Sequence, residues 1–386
     1  MRLFKPLSVA VIALLLALPA VTLAQMTLTA AGQSDGFTLS TFVSGLASST
    51  SACGDGGCGP FGTASTSAGN ILVDSSANGT MYVFHDTDGQ TPGSAVSSTS
   101  FVSFASALTN ANGTIYASGG LSTVVSSLGG PNAFNLLQLT NTGGIASTAL
   151  PNGGGAGVAE DTANGHVITE GATNFSTTPL GNVPLTETLL DYNPVTNTSR
   201  TITSWALQVP ILQPTGKDGD GIVVSADGST VYVAFKDNNT IVGFNTATGA
   251  TVHTFSLGSS TPDGMGIIQK GALAGDIVSN NNDGTVDLIN VGNGTVTTIA
   301  SGGTRGDFTG EDLLNGSLFL SQSSSVLRLS CGTGCSFGGG TGGGGTGGGG
   351  TGGGGGGTTG VPEPATFGLF GLGMLGTLLR RRRSQR

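Results

Sequence analysis

Three aspartates stand in polar turns at widely separated points of this chain, and each lies next to a glycine. They are Asp220, Asp263 and Asp307. Carboxylate oxygens are the ligands that Ca²⁺ takes in proteins. If the fold brings these turns together, the three side chains could hold a calcium ion. If it does not, they are ordinary turn residues whose carboxylates accept bonds from backbone N–H groups.

Groups that commonly catalyse hydrolysis are scarce. The histidines are His85, His166 and His253, and none stands in a spacing that predicts a general base beside a metal. No nucleophile elbow, phosphate-binding loop or dinucleotide fingerprint occurs in a suitable context. The single tryptophan, Trp205, is expected in the core. The sequence therefore predicts no catalytic residue.

The turn at residues 86–89, Asp-Thr-Asp-Gly, has the first residues of a calcium-binding loop. Such a loop needs a bidentate glutamate at its twelfth position, where this chain has Ser97. The segment is therefore predicted to be a plain turn.

These side chains must be positioned by a repeated unit of two apolar strands joined by a tight turn. The turn ends in Asn-Gly or Asp-Gly in five copies and in Ala-Gly in one. Asn-Gly and Asp-Gly tolerate the positive φ angles that a two-residue hairpin turn requires. The spacing is close to the 40–50 residues of a propeller blade. The turn glycines are Gly79, Gly113, Gly165, Gly228, Gly275 and Gly316.

The cleanest copy, residues 221–255, contains four strands joined by short turns, which is one blade. We therefore predict an all-β fold, a β-propeller of six blades over residues 61–337. Seven blades would result if a strand of the lead-in segment 25–60 completed another. The long gap between Gly165 and Gly228 predicts an insertion at 174–186 or an extra blade around 189–202. A β-helix or an open β-sandwich is the structural alternative.

Residues 230–234 and 241–249 resemble a YVTN-type propeller repeat, and residues 161–170 resemble the repeats of NHL and streptogramin-lyase-like propellers. The resemblance implies a propeller whose ligands bind at the channel, where the innermost strands begin. The three aspartates would stand at that end. The resemblance also implies an alternative function, an enzyme of the lactonase or streptogramin-lyase type.

Basic residues at the chain ends conceal how acidic the middle is. The formal net charge is −9, but seven of the 13 Lys and Arg lie in the first five or last seven residues. The body between them carries six cations against 21 carboxylates, a net charge near −15. Nucleic-acid binding needs a basic footprint, so that function is excluded. An acidic surface permits a divalent cation or a neutral glycan as partner, or serves solubility alone.

The N-terminal residues 1–24 are predicted to be a secretory signal peptide. Arg2 and Lys5 precede an apolar run over residues 7–18, and small residues follow before Gln25. The run is shorter than the about 20 residues of a membrane-spanning helix. An uncleaved N-terminal anchor is the alternative.

Three features follow one another at the C-terminal end. Residues 338–360 are almost pure glycine with threonine, a composition that predicts a flexible tether reaching about 25 Å on average. Pro362, Glu363 and Pro364 then precede an apolar stretch at 365–379, which as a helix would cover about 22 Å. Four arginines follow, and the positive-inside rule would hold them in the cytoplasm. They are Arg380, Arg381, Arg382 and Arg383.

Residues 361–386 resemble the PEP-CTERM sorting signal. That resemblance implies processing near the Pro-Glu-Pro motif by an exosortase, a membrane-embedded transpeptidase, after transient anchoring in the inner membrane by the C-terminal helix. It also implies a host that makes exopolysaccharide. A permanent tail anchor is the alternative, and it too would place residues 25–337 outside the cell.

Four cysteines form two close pairs, Cys53 with Cys58 and Cys331 with Cys335. Because an exported protein folds in an oxidising environment, disulfides are predicted. Pairing within each close pair is the simplest arrangement, whereas pairing across would join the two ends of the propeller. A zinc site is disfavoured because the histidines lie far away in sequence.

Taken together, the patterns predict an exported interaction or scaffold module at the cell surface or in the extracellular matrix. Its partners would be an exosortase and either exopolysaccharide or another surface protein. A purely structural biofilm component and a propeller enzyme are the alternatives. Ca²⁺ is the one cofactor for which the sequence offers ligands.

Overall fold

A computed structural model describes residues 25–48, 59–100, 107–118, 135–178, 181–206 and 217–338. These residues form six antiparallel sheets. Four of the sheets have four strands that follow one another in the chain, and the other two also include a strand from the segment before blade one. The innermost strands contact one another in a closed ring around a central channel. The prediction of a six-blade β-propeller is confirmed.

Blades one to three occupy the first half of the chain. Blade one consists of β3 (Pro60–Ser65), β4 (Asn70–Ser75), β5 (Thr80–His85) and β6 (Ser97–Ser100). Blade two consists of β7 (Leu108–Ala111), β8 (Thr114–Ser118), β9 (Leu136–Leu139) and β10 (Ile145–Leu150). Blade three consists of β11 (Val158–Asp161), β12 (His166–Thr178), β13 (Gly181–Asn193) and β14 (Thr198–Ala206).

Blades four to six complete the ring. Blade four consists of β15 (Gly219–Val224), β16 (Thr230–Phe235), β17 (Thr240–Asn245) and β18 (Thr251–Ser256). Blade five contains β19 (Pro262–Ile267), β20 (Ile277–Asn281), β21 (Val286–Ile289) and β22 (Val296–Ser301). Blade six contains β23 (Thr309–Glu311), β24 (Leu318–Ser321) and β25 (Val326–Ser330).

The segment before blade one closes the ring. Strand β2 (Thr38–Val43) pairs with β25 and becomes the outer strand of blade six. Strand β1 (Thr27–Leu28) adds a fifth strand to blade five, and a short helix, α1 (Ala30–Ser34), joins the two. The lead-in strand therefore completes the sixth blade and not a seventh.

Apolar side chains fill the spaces between neighbouring blades. Between blades one and two, for example, Leu72 and Val83 pack with Ile115 and Leu137, all almost fully buried. A second strand such as β16, Thr-Val-Tyr-Val-Ala-Phe, is buried on both faces because each sheet packs against a neighbour on either side. At about 25 cal/mol per Å² of apolar surface, this burial is the main favourable contribution to folding.

The turn glycines have positive φ angles, but among the residues directly before them only Asn112 does, so only the turn at Asn112 and Gly113 is of the predicted two-residue kind. The first of these glycines also belongs to a different turn. Gly79 (φ 62°) joins the second and third strands of blade one, whereas Gly113 to Gly316 join first and second strands. The equivalent turn in blade one is at Gly69 (φ 77°). Both turns need a left-handed residue, so the pattern of glycines does not tell them apart.

The long gap before Gly228 is an insertion and not an additional blade. Strands β12 and β13 each run for 13 residues and pair with each other from Val167 with Tyr192 to Thr178 with Gly181. Their hairpin therefore extends beyond the length of the other blades. The region around 189–202 supplies the third and fourth strands of blade three.

Glycines in the inner strands allow the strands to approach one another closely. An added Cβ would lie 2.2 Å from Asp263 O at Gly221, 2.4 Å from Asp307 O at Gly264 and 2.1 Å from Thr63 O at Gly310. These contacts are to backbone atoms of the next blade, which cannot rotate away. The small ring of six inner strands thus depends on residues without side chains.

Replacing Gly221 with alanine is expected to destabilise the propeller by about 1–3 kcal/mol, because the new methyl group overpacks the contact between blades four and five. Urea unfolding measures this change. Gly292→Ala is the matched control, since the nearest atom to its added Cβ is a side-chain oxygen at 3.4 Å. Equal stabilities of the two variants would contradict the packing argument.

Arg328 on β25 joins blade six to blade one. Its guanidinium contacts Asp312 Oδ2 (2.5 Å), Asp86 Oδ1 (2.5 Å) and Asp88 Oδ1 (2.8 Å). The predicted plain turn at 86–89 is therefore observed, and its carboxylates bind an arginine. The same guanidinium lies over the rings of two phenylalanines, Phe42 and Phe319, 5.2 and 4.8 Å from their centroids.

The described chain ends on the face opposite to the one where inner strands begin. A disulfide joins Cys331 and Cys335, whose Cα atoms are 5.4 Å apart. This is one of the arrangements that the spacing left open, and it excludes pairing across the propeller for these two residues. Cys53 and Cys58 lie outside the described residues. Phe337 is fully buried and its N–H donates to Gly316 O.

Candidate functional site at the upper mouth of the channel

We call the face where the inner strands begin the upper face. The three aspartates predicted to converge lie there together with two cations. Lys236 Nζ is 2.9 Å from Asp218 Oδ2 and 3.4 Å from Asp220 Oδ2. Arg305 reaches Asp307 Oδ2 (2.7 Å) and Asp263 Oδ2 (3.6 Å). The acidic arc is defined as Glu170, Glu187, Asp218, Asp220, Asp263 and Asp307, with Lys236 and Arg305.

Local structure brings each of these side chains to the mouth. Asp220 and Asp263 lie near the start of their inner strands, and Asp307 lies two residues before β23. Lys236 follows β16 at the adjacent turn, where Phe235 pairs with Gly219. The loop carrying Arg305 is fixed by Gly306 N, which donates to Asn281 O at 3.0 Å. The turns that carry the arc are therefore held by the sheets beside them.

Two glutamates extend the acidic arc into the space between blades three and four. Gly157 N donates to Glu170 Oε2 at 2.8 Å, and Trp205 Nε1 donates to Glu187 Oε2 at 2.8 Å. Both glutamates are buried within extended strands. The sequence analysis missed them. A carboxylate flanked by β-forming residues and glycine in the middle of a strand is the signal that could have identified them.

Burial dominates the electrostatics of the arc. It raises the pKa of Asp307 to about 7, although Arg305 lowers it. Burial also raises the pKa of Asp263 well above its usual range, and the neighbouring carboxylates Asp220 and Asp307 raise it further. Burial lowers the pKa of Lys236, but the attraction of Asp220 and Asp218 outweighs that effect. The mouth thus holds one carboxyl group, that of Asp307, that exchanges a proton near neutral pH.

The Ca²⁺ hypothesis for Asp220, Asp263 and Asp307 stays a prediction. The three side chains do lie in one arc, but Lys236 and Arg305 already pair with them. Within the described ranges, no three His, Cys, Asp or Glu side chains form a group that could hold a metal ion. These aspartates therefore fit an ion-paired arrangement better than a cation cage.

The histidines lie away from the acidic arc. His166 Nδ1 is 2.7 Å from Asp191 Oδ1, and Arg200 contacts the same carboxylate at 2.6 Å. His253 stacks on Phe255 with ring centroids 5.7 Å apart. His85 ends β5 at the lower face. None of the three occupies a position to act as a general base at the mouth.

At the lower end of the channel, Glu311 lines a small cleft with Thr63, Asn110 and Leu313. Burial, and to a smaller extent the charge of Glu160, together raise the pKa of Glu311 to about 8. Glu160 Oε1 accepts a bond from Asn112 N at 3.2 Å. Glu311 is thus protonated in the folded protein at neutral pH.

Stability should fall as the pH rises from about 4.5, the usual value for glutamate, to about 8, because only the unfolded chain releases the proton of Glu311 over that range. The shift corresponds to at most about 5 kcal/mol, and partial solvent contact in the channel reduces it. Glu311→Gln removes this pH dependence and is more stable than the parent above pH 8. Thermal melts across pH test this, with Asp283→Asn at an exposed turn as control. Parallel curves for parent and Glu311→Gln would contradict the assignment.

The described fold is similar to those of solved structures. A gluconolactonase from Xanthomonas campestris is 12% identical, with a TM-score of 0.54 over 79% of this chain and 94% of that one. A luciferin-regenerating enzyme is also 12% identical, with a TM-score of 0.51 over 78% and 97% of the two chains. At this identity the likeness shows the fold alone. No curated sequence matches the chain.

The C-terminal tail has a specific match. Residues 360–383 fit the family described as the PEP-CTERM protein-sorting motif. This chain carries a PEP-CTERM sorting motif. The PEP-CTERM motif implies export, processing by an exosortase and sorting to the cell surface.

The PEP-CTERM tail, the glycine-rich tether and the segment predicted as signal peptide lie outside the described residues. Pro362, Glu363 and Pro364 and the four arginines fall there too, so the predicted membrane anchoring and the signal peptide stay predictions. In the part of the chain that the structure describes, no helix has the length and apolar character needed to span a membrane.

Proposed function

We propose that this chain is an exported propeller that binds a hydroxyl-rich polysaccharide at the acidic arc and is displayed at the cell surface through its PEP-CTERM tail. The observation that carries the proposal is the partly exposed ion pair of Lys236 and Asp218 at the rim, with side-chain exposures of 27% and 28%. Carboxylates accept bonds from sugar hydroxyls, and ammonium or guanidinium groups donate to their oxygens.

The chemistry of the mouth supports a neutral ligand over a charged one. Carboxylates outnumber cations in the arc, which repels anionic chains, while the two cations weaken attraction for polycations. A hydroxyl group donates a hydrogen bond to a carboxylate and accepts one from an ammonium or guanidinium group, and it carries no charge. A neutral glycan of the surface or matrix is the partner that fits.

Binding of immobilised neutral polysaccharides to the purified propeller tests the proposal. The double variant Asp218→Asn with Lys236→Gln should weaken binding about tenfold or more, because it removes two charge-assisted contacts at the rim. Asp227→Asn, in an exposed turn of the lower face, is the matched control. Undiminished binding by the double variant, or no binding by the parent, would refute the proposal.

A second candidate is hydrolysis of a lactone by a carboxylate base. Asp307 favours it, because a pKa near 7 suits a group that takes and returns a proton at neutral pH. One fold neighbour is named a gluconolactonase. Opening of gluconolactone at a rate above the spontaneous one, and loss of that excess in Asp307→Asn, would support this candidate. A rate equal to the spontaneous one would exclude it for this substrate.

A further inference from the structure

Two glutamates of the acidic arc have no cation beside them among the residues described. Glu170 on β12 is 0% exposed and Glu187 on β13 is 1% exposed. Among residues that the structure describes, neither forms an ion pair, whereas the aspartates of the arc pair with Lys236 or Arg305. Each aspartate of the arc therefore has a cation beside it, whereas the two glutamates between blades three and four have none among the described residues.

Both glutamates converge on the first residue of β15. Gly219 N donates to Glu187 Oε2 at 3.0 Å. A Cβ on Gly219 would lie 2.4 Å from Glu170 Oε1, so that oxygen points at the same residue. The two carboxylates thus approach a common point from neighbouring strands of blade three.

One oxygen of each carboxylate is satisfied and the other is not. The Oε2 atoms accept bonds from Gly157 N, Gly219 N and Trp205 Nε1. Glu170 Oε1 and Glu187 Oε1 are buried and have no hydrogen-bond partner. Buried charges in proteins are paired or coordinate metals. Burial raises the pKa of both groups, so the two Oε1 atoms can share one proton, but that proton cancels only one of the two charges.

We propose that Glu170 Oε1 and Glu187 Oε1 bind a divalent cation of the Ca²⁺ type, with water completing its coordination. Two hard anionic oxygens suit this ion, and its charge of +2 cancels theirs. The site has only two carboxylate ligands and is separate from the three axial aspartates. The ion joins the second and third strands of blade three, β12 and β13.

Trp205 provides a specific reporter. It is the only tryptophan of the chain, and its indole donates to Glu187. Tb³⁺, which replaces Ca²⁺ at oxygen sites, should show luminescence when Trp205 is excited in the EDTA-treated full propeller, and excess Ca²⁺ should suppress it. Glu170→Gln and Glu187→Gln should each weaken Tb³⁺ and Ca²⁺ binding about tenfold or more, since each removes one of two charged ligands.

Asp263→Asn is the matched control, because it removes a carboxylate of the axial aspartates and leaves both glutamates in place. Its luminescence should equal that of the parent. Ca²⁺ should also raise the melting temperature of the parent and of Asp263→Asn but not of the glutamate variants. Luminescence that disappears in Asp263→Asn and persists in Glu170→Gln would overturn the proposal. So would the absence of both luminescence and a Ca²⁺-dependent melting shift in the parent, which would mean that the pair binds protons only.

Discussion

Replacing Arg328 with methionine is expected to lower the free energy of unfolding by about 3–5 kcal/mol. The substitution keeps most of the apolar volume between Phe42 and Phe319 but removes the positive charge from three carboxylates. Asp312 is fully buried and would be left as an uncompensated charge. Because β2 and β25 close the ring at this point, the loss affects the whole propeller. Denaturant unfolding at neutral pH measures it.

The matched control is Arg200→Met. Arg200 also pairs with a buried carboxylate, Asp191, but its own side chain is 49% exposed, so we expect a loss of about 1 kcal/mol or less. Combining Arg328→Met with Asp312→Asn should recover part of the stability, since it removes the buried charge. A loss for Arg328→Met no larger than that of the control would show that the arginine is not essential for closure.

Replacing Pro362, Glu363 and Pro364 together with alanine is expected to abolish processing of the tail. The motif match includes these residues, and we expect the exosortase to recognise them when it cuts. Unprocessed protein should then accumulate in the membrane fraction with its C-terminal segment intact. Immunoblotting of membrane and surface fractions with a tag placed before the tether measures the change.

Alanine at Thr358 and Thr359 is the control for this variant, because both residues precede the matched segment of 360–383. That control should be processed like the parent. Processing of the motif variant at the parental rate would contradict the sorting assignment. It would favour a permanent tail anchor.

Much of the fold could be predicted because its signals are local. In blade four the predicted turns at 236–239 and 246–249 are where the structure has them, between strands of alternating apolar residues. In the first copy the sequence pattern identifies the turn after the second strand in place of the turn after the first. Gly69 and Gly79 both have positive φ in successive turns, so the pattern does not distinguish them. The sequence does not predict which strand the lead-in strand pairs with, because its partner lies far away in the chain. Strands β2 and β25 pair across almost the whole length of the chain.

The candidate site was predicted in part. Asp220, Asp263 and Asp307 stand in recognisable turns, so their meeting at one face followed once a propeller was inferred. The sequence does not predict Glu170 and Glu187 as site residues, because a carboxylate within a strand is normally expected to be exposed to solvent. They are buried because β15 of the next blade packs beside them in the folded protein.

Order along the chain was enough to identify the sorting motif, the turn glycines and the acidic excess, since each depends on a few adjacent residues or on composition. Which charged side chains lie next to one another is decided only when the six blades close into a ring. Lys236 and Arg305 pair with the axial aspartates, while among the residues that the structure describes Glu170 and Glu187 have no cation beside them. This difference depends on distances between residues far apart in the chain. Burial in a low-dielectric interior then makes those distances decisive, because an unpaired charge costs far more there than in water.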